Sequence, residues 1–454
     1  MRFTRPHVFW IPTVCVLSLL GGLAGCGSGD SAQEQAGTST RAGAPGGKKA
    51  LPTVAIGNPR NKSRSADEAS TAESPKLEFK QGTPQWLLRE ITVLKVARLT
   101  SPPSGEKTTA SDGTTSSPQL TEEDLEKQRA ARRDRCRKII GLAESAISLT
   151  HNNPEATREF DLAVHHLVES HAQLAFQGDK ESTDALYETA ALLYKRDPKS
   201  KAAAEAGYEL AKFVQKSAER FATQDARWLK EFAGQARLFG DRFPQEVTRA
   251  APLLFAAGQS CELNGLTDDA RLCYERVSEK YADAPLGSQS TAILRRLNLT
   301  GQPLELAGPT IDGGFVKVAD FKDRAVLVVF WSTNAKPFTD MLDDLLAATS
   351  RFPESKLAVI GVNLDVDEST VDTFLEEQDA RLKQLKRPPI SWRQIFHPDP
   401  AQRGWKHPIV AYYGVRQIPA IWLVGPDGRV ASTDVKPQTL TQQVAALSKT
   451  ARQD

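Results

Sequence analysis

The sequence of 454 residues predicts an α-helical repeat region followed by an α/β domain. From Thr121 to about Arg296, apolar residues recur at helical spacing, and prolines in similar contexts divide the region into units of 41 to 46 residues. After Gly301 the composition changes, and continuous apolar, β-rich runs alternate with helix-like segments. A chain of this length is expected to form more than one domain.

The overall charge is close to neutral. The sequence has 58 basic and 56 acidic residues, so no large positive surplus is available to bind a phosphate backbone. We therefore expect no nucleic-acid partner.

Residues 1–26 are predicted to be a signal peptide. Arg2 and Arg5 give a positive start, and the apolar run Val14–Leu20 is shorter than the roughly 20 residues of a membrane span. The next residues, Leu23-Ala24-Gly25-Cys26, resemble the lipobox of bacterial lipoproteins. The resemblance implies that Cys26 becomes the lipidated N-terminus, which anchors the protein to a bacterial membrane, in the cell envelope, facing the periplasm or the exterior. The alternative is an ordinary secretory peptide with an incidental cysteine.

Three segments are expected between the anchor and the repeats. Residues 27–82 are rich in small and polar residues and predict a disordered tether. Residues 83–98 predict a short amphipathic helix, with Thr83 as its N-cap and Pro84 at its first position. Residues 99–120 form a low-complexity linker, so the site where this helix docks is left open.

Residues 121–300 predict helical repeats. Thr121 and Asp124 resemble a capping box, and the dividing prolines are Pro154, Pro198, Pro244 and Pro285. The last unit resembles a tetratricopeptide repeat at Gly258, Cys261, Gly265, Ala270, Tyr274 and Val277. The units are longer than the 34 residues of that family, so a tetratricopeptide-like solenoid is predicted.

Three cysteines remain outside the signal segment and the lipidation site: Cys136, Cys261 and Cys273. They are too few to staple a fold of this size. We expect Cys261 to fill the core and Cys273 to lie nearer the surface, with structural thiols favoured over a disulfide.

Residues 301–454 predict the α/β domain. Strand Ala325–Trp331, a helix from about Lys336, strand Lys356–Leu364 and a charged helix from about Glu368 form a βαβ order. A hairpin and a final helix are predicted to follow, with the hairpin strands at Ala420–Val424 and Arg429–Thr433.

Three segments of this domain resemble the thioredoxin fold, and within it the redoxin-type, membrane-anchored thiol-disulfide oxidoreductases related to TlpA. They are the pre-strand segment Val318–Arg324, Phe330-Trp331-Ser332-Thr333, and Tyr413-Gly414-Val415-Arg416-Gln417-Ile418-Pro419. The resemblance implies a cis Ile418–Pro419 bond beside the site, with Trp331 in the same groove.

The sequence departs from this family where its two redox cysteines stand. The corresponding residues are Asn334, Ala335, Lys336, Pro337 and Phe338, with Ala335 and Phe338 at the cysteine positions. Neither side chain can take part in thiol–disulfide exchange, and no cysteine follows Cys273. We therefore expect a redox-inactive domain with no catalytic residue, metal or cofactor, which binds a protein or an extended peptide beside Trp331, Ile418 and Pro419.

Two alternatives stay open. The first is a thiol-disulfide oxidoreductase in which Cys136, Cys261 or Cys273 reaches the groove. The second is a passive scaffold whose helical repeats alone bind a partner. A metal or hydrolytic site and an anion site at Lys336 are less favoured, because the candidates for the former lack a recognisable spacing: His397, Asp399, His407 and Asp427.

Overall fold

The structure, a computed structural model, describes residues 79–97 and 121–450. The predicted signal peptide, Cys26, most of the tether and the low-complexity linker lie outside these residues. In the described part of the chain, no helix is long and apolar enough to cross a membrane.

The helical region begins with a helix that packs on the helices that follow it. Helix α1 (Pro84–Val96) is capped by Thr83, whose side chain accepts a hydrogen bond from the Trp86 amide. Its residue Ile91 is fully buried in a cluster with Ile139 and Leu167. The predicted amphipathic helix therefore docks on the first two helices that follow.

Eight further helices continue this region: α2 (Glu122–Thr150), α3 (Thr157–Phe176), α4 (Lys180–Arg196), α5 (Lys201–Phe221), α6 (Arg227–Arg242), α7 (Val247–Leu263), α8 (Thr267–Lys280) and α9 (Pro285–Leu297). Short turns join α3 to α4, α5 to α6 and α7 to α8, and the first helices of these pairs contact one another. One continuous core runs through α3 to α9. The expected helical region is thus present.

The last pair of helices shows the close approach that its small residues predict. A Cβ atom on Gly258 would lie 2.9 Å from the ring of Tyr274, which is fully buried. The Tyr274 hydroxyl donates a hydrogen bond to Glu262 at 3.0 Å. One expectation for this pair is wrong, because Cys273 is as completely buried as Cys261. The second helix packs against α6 as well as α7, so both faces of α8 near Cys273 are covered.

The α/β part is built on a five-stranded sheet. Its strands are β3 (Ala325–Trp331), β4 (Leu357–Asn363), β5 (Arg393–Ile395), β6 (Ala420–Val424) and β7 (Val430–Ser432), in the order β5-β4-β3-β6-β7. Strands β3, β4 and β5 are parallel, whereas β6 pairs antiparallel with β3 and β7. Every residue of β3 is buried because apolar clusters cover both faces of the sheet. This is the predicted thioredoxin-like α/β fold.

Four helices and a small hairpin complete this part: α10 (Lys336–Thr349), α11 (Glu368–Gln384), α12 (Pro408–Tyr413), α13 (Pro437–Thr450), β1 (Ala307–Pro309) and β2 (Phe315–Lys317). The expected βαβ order is formed by β3, α10 and β4. Strands β1, β2 and β5 were not predicted. Each has only three residues, which is too short for an alternation of apolar and polar side chains to be recognised.

The helical region and the α/β part belong to one compact unit. Arg296 of α9 forms an ion pair with Glu262 at 2.5 Å and donates a hydrogen bond to the Gly414 carbonyl at 3.2 Å. The guanidinium of Arg416 lies 4.9 Å from the ring centre of Phe255 on α7. Helices α7 and α9 therefore hold the segment that leads to Pro419.

Candidate functional site

The predicted site lies where β3 ends and α10 begins. Trp331 is the last residue of β3 and is 1 % exposed. Asn334 and Ala335 lie on the connecting turn, and Ala335 is the N-cap of α10 without a side-chain capping bond. Lys336 and Pro337 form the first turn of α10.

Phe338 belongs to the core of the α/β part. Its ring centre lies 4.9 Å from that of Trp331, with 32° between the ring planes, and its side chain is 1 % exposed. Trp331 is also held by its indole Nε1–H, which donates a hydrogen bond to Gln394 Oε1 at 3.0 Å. The position that the family resemblance gives to a resolving cysteine is therefore filled by a packed aromatic ring.

Lys336 has an ordinary surface partner. Its ammonium forms an ion pair with Asp340, one helical turn ahead, at 2.8 Å, and its side chain is 83 % exposed. An ion pair of this kind at a solvated position explains Lys336 without an anion.

The Ile418–Pro419 peptide bond is cis, as the resemblance implied. Phe330 pairs with Ala420 in the sheet, so Pro419 lies across from Trp331 at the end of β3. Ile418 is half-buried against the apolar cluster on one face of the sheet. The sheet register thus brings the turn after β3 and the cis-proline segment together, whereas their binding role stays a prediction.

A buried carboxylate that the sequence reasoning missed holds the turn after β3. Asp365 is 5 % exposed and accepts hydrogen bonds from Ser332 Oγ at 2.7 Å, from the Thr333 amide at 2.9 Å and from Thr333 Oγ1 at 2.9 Å. Asn363 Nδ2 donates a fourth at 2.7 Å. The signal was the polar pair formed by Asn363, the last residue of the buried strand β4, and Asp365, two residues later.

His407, the residue before α12, is 2 % exposed. Its Nδ1 accepts a hydrogen bond from the Ile409 amide at 3.2 Å, and burial lowers its pKa to about 4. The ring of His397 lies edge-on at 5.7 Å. Asp399 and Asp427 instead accept backbone hydrogen bonds within their own turns.

The described residues include one group that has the composition of a metal site, and it lies in the helical region. Ligand atoms of His165, His166 and Glu169 lie within 4.8 Å of one another. The ammonium of Lys95 lies 2.5 Å from Glu169, so a protein cation already neutralises this carboxylate.

The three thiols are buried among the helices. Cys136 donates to Gln173 Oε1 at 3.4 Å on α3. The sulfur atoms of Cys261 and Cys273 approach α6, at the Leu229 carbonyl (3.7 Å) and the Ala233 carbonyl (4.0 Å). Their described contacts are thus with helices and not with the Ile418–Pro419 segment.

Burial makes the thiols of Cys261 and Cys273 weak acids. Burial, and to a smaller degree the neighbouring Cys273, raises the pKa of Cys261 to about 12. Burial raises the pKa of Cys273 to about 11, against the opposing effect of Arg237, whose guanidinium lies 3.7 Å from the sulfur. Arg237 therefore opposes the effect of burial on the Cys273 thiol.

The α/β part resembles known redox proteins. Residues 301–433 match the model of the AhpC/TSA family. A thiol-disulfide oxidoreductase ResA of Bacillus cereus is 23 % identical over 139 residues, which are 31 % of this chain and 70 % of that protein. ResA of Bacillus anthracis is 22 % identical over the same length and the same shares.

Solved structures resemble the same part of the chain. The thioredoxin domain of a thiol-disulfide oxidoreductase from Bacteroides vulgatus is 22 % identical, with 32 % of this chain and 96 % of that chain covered and a TM-score of 0.27. A putative thiol:disulfide interchange protein DsbE from Chlorobium tepidum is 23 % identical, with 33 % and 96 % covered and a TM-score of 0.26.

These comparisons contradict the function expected from the sequence. We expected a redox-inactive module that binds protein or peptide, because Ala335 and Phe338 stand at the cysteine positions. The family match and the curated relatives, which are thiol-disulfide oxidoreductases, favour the alternative of an oxidoreductase instead. The residues of one turn therefore did not predict the function of the whole chain.

Proposed function

We propose that this protein is a thiol-disulfide oxidoreductase of the thioredoxin family whose exchanging thiols lie in the helical region. The similarity of 139 residues to thiol-disulfide oxidoreductases carries the proposal. Because the last cysteine of the sequence is Cys273, the sulfur for this chemistry must come from outside the α/β part.

The pair Cys261 and Cys273 fits this role better than Cys136. A protein that exchanges a dithiol for a disulfide needs two cysteines close together. Cys261 and Cys273 lie on consecutive helices and approach carbonyls one helical turn apart on α6. Cys136 lies on α2 beside Gln173 instead.

The proposed reaction begins at Cys273, whose thiolate Arg237 stabilises. The Cys273 thiolate attacks a substrate disulfide, which forms a mixed disulfide and releases one substrate thiolate. Cys261 then loses its proton and attacks Cys273. The products are a Cys261–Cys273 disulfide and the substrate dithiol, so two electrons and two protons pass to the substrate.

Both thiols must be uncovered before they react, because both are fully buried. Helix α7 carries Cys261 on the side facing α6, while its residue Phe255 contacts Arg416 of the segment before Pro419. Displacement of α7 when a polypeptide occupies that segment would uncover the pair. Burial raises the pKa of Cys273 to about 11, so the covered thiol is protonated at pH 7 and should not exchange until it is uncovered.

Insulin reduction tests the proposal. The pre-reduced full-length chain is mixed with insulin, and reduction is followed with and without a recycling dithiol. The Cys261→Ser/Cys273→Ser variant should lose the activity above the dithiol background, whereas the control Cys136→Ser should keep it. Equal activity of the double variant and the wild type would refute the assignment.

We further propose that the protein acts in the bacterial cell envelope, held to a membrane by a lipid on Cys26. The lipobox-like sequence that ends at Cys26 supports this location. The Cys26→Ser variant should move from the membrane pellet to the soluble fraction after cell lysis. A variant that stays in the pellet after a carbonate wash would contradict lipid anchoring.

A further inference from the structure

A cleft of about 1080 Å³ lies within the helical region. Helices α2 and α5 form its walls and α3 forms its floor. We call it the basic cleft, because it is lined by Arg129, Arg132 and Arg133 of α2 and by Lys212, Lys216 and Arg220 of α5. No residue of the proposed oxidoreductase site is among those that line it.

The acidic residues of the basic cleft neutralise only part of this charge. Glu126 forms ion pairs with Arg133 at 2.7 Å and with Arg129 at 3.5 Å. Glu209 pairs with Lys212 at 2.8 Å. In the part of the chain that the structure describes, the remaining cations form no ion pair: Arg132, Lys216 and Arg220. Each of these three is exposed, so each is available to an anionic ligand.

Aromatic rings lie beside one of these three cations, Arg220. Phe176 and Phe221 are half-buried and line the basic cleft, together with the buried Phe213. The guanidinium of Arg220 lies 5.3 Å from the ring centres of both Phe176 and Phe221. The cleft therefore offers apolar contact together with charge, which a simple solvated basic surface does not.

We propose that the basic cleft binds an extended acidic segment of another polypeptide. Lys216 and Arg220 lie four residues apart on α5, which places them about 6 Å apart along the helix axis. Alternate side chains of an extended peptide are roughly 6.6 Å apart. Carboxylates at every second position of the peptide can therefore meet successive cations, while the intervening side chains face the aromatic rings or α2.

The lining favours a peptide over a nucleic acid. Glu126, Glu169 and Glu209 also line the basic cleft, where they would repel a continuous row of phosphates. A peptide can instead place neutral or apolar residues beside them. The net charge of the whole chain, +2, adds no general attraction for nucleic acid.

Fluorescence anisotropy of labelled probes tests this proposal on the full-length chain. The first probe is a peptide of roughly twelve residues in which Glu alternates with Ala and Phe, and the second replaces every Glu with Gln. The acidic peptide should bind, and added salt should weaken the binding because the contacts are ionic. The Gln peptide should bind at least about tenfold more weakly.

Variants locate the binding. Arg132→Gln/Lys216→Gln/Arg220→Gln should weaken binding of the acidic peptide about 10- to 100-fold, from about 2- to 5-fold for each cation. The matched control Arg158→Gln/Lys195→Gln/Lys230→Gln removes the same charge at exposed positions outside the cleft and should change the affinity less than about twofold. Circular dichroism should show the same helix content in all three proteins.

Three results would overturn the proposal: no binding of the acidic peptide, equal losses in the cleft and control variants, or tighter binding of a single-stranded oligonucleotide of the same charge. The Cys261→Ser/Cys273→Ser variant should bind the peptide as the wild type does. Failure of the thiol chemistry and failure of this proposal are therefore separate observations.

Discussion

Phe338 should contribute several kcal/mol to the stability of the α/β part. Its side chain is 1 % exposed and its ring packs 4.9 Å from that of Trp331. Removal of a buried phenyl ring costs about 3 to 5 kcal/mol, because apolar contact is lost and a cavity remains. The variant Phe338→Ala should therefore be destabilised by about this amount, whereas Lys336→Ala, at an 83 % exposed position of the same helix, should lose less than about 1 kcal/mol.

Hydrogen exchange measured by mass spectrometry can separate this part from the helices. The amides of β3 are protected by the sheet beside Phe338, so the loss should appear in peptides that cover Ala325–Trp331. A change of about 3 to 5 kcal/mol corresponds to exchange about 10² to 4 × 10³ times faster. Peptides from α3 to α5 serve as the internal reference and should not change. Equal exchange in Phe338→Ala and Lys336→Ala would refute the assignment of Phe338 to the core.

Three further variants probe other contacts. The variant Asp365→Ala should lower the free energy of unfolding by about 3 kcal/mol or more, because Thr333 and its neighbours lose the acceptor of their hydrogen bonds. Urea unfolding and hydrogen exchange of β4 measure this loss. Burial lowers the pKa of His407 to about 4, so the unfolded chain takes up its proton first as the pH falls below about 6.5. Neutral His407 makes its full contribution to the free energy of unfolding above that pH. This free energy should decrease by up to about 3 kcal/mol as the pH falls toward 4. The variant His407→Asn keeps an acceptor for the Ile409 amide and should flatten this decrease; equal slopes would contradict it. Arg296→Ala should loosen the contact with Gly414 and speed exchange in residues 412–418, with α3 to α5 unchanged.

The sequence was most informative where apolar patterns are long. The apolar run from Ala325 to Trp331 predicted the central strand. All seven residues of a strand are buried only when both faces of its sheet are covered. Thr83 and Thr121 marked helix starts correctly, since each side chain accepts the predicted backbone hydrogen bond. Strand β5, by contrast, has three residues, and its position depends on pairing with β4.

Contacts between distant residues could not be read from the sequence. The basic cleft joins Arg132 to Lys216 and Arg220, which come together only because α2, α3 and α5 pack side by side. Cys273 was expected near the surface from one helical hairpin alone, whereas α6 covers it in the folded chain. Asp365, in contrast, could have been recognised from the sequence, because it lies close to the end of a predicted strand.

The candidate site shows both the use and the limit of motif reasoning. The segment before Pro419 predicted the cis bond because its residues match a family pattern. The expectation drawn from Ala335 and Phe338 at the cysteine positions did not predict the function that the relatives favour. A motif describes local chemistry, whereas the position of a reactive thiol depends on the rest of the fold.

The central claim is that Cys261 and Cys273 form the electron-carrying dithiol. The most direct measurement is peptide mapping of the full-length chain after the reduced protein has been incubated with insulin and its remaining thiols have been alkylated. The account predicts a peptide pair linked between Cys261 and Cys273, in proportion to the insulin thiols formed. Full alkylation of both cysteines in a sample whose insulin has been reduced would contradict it.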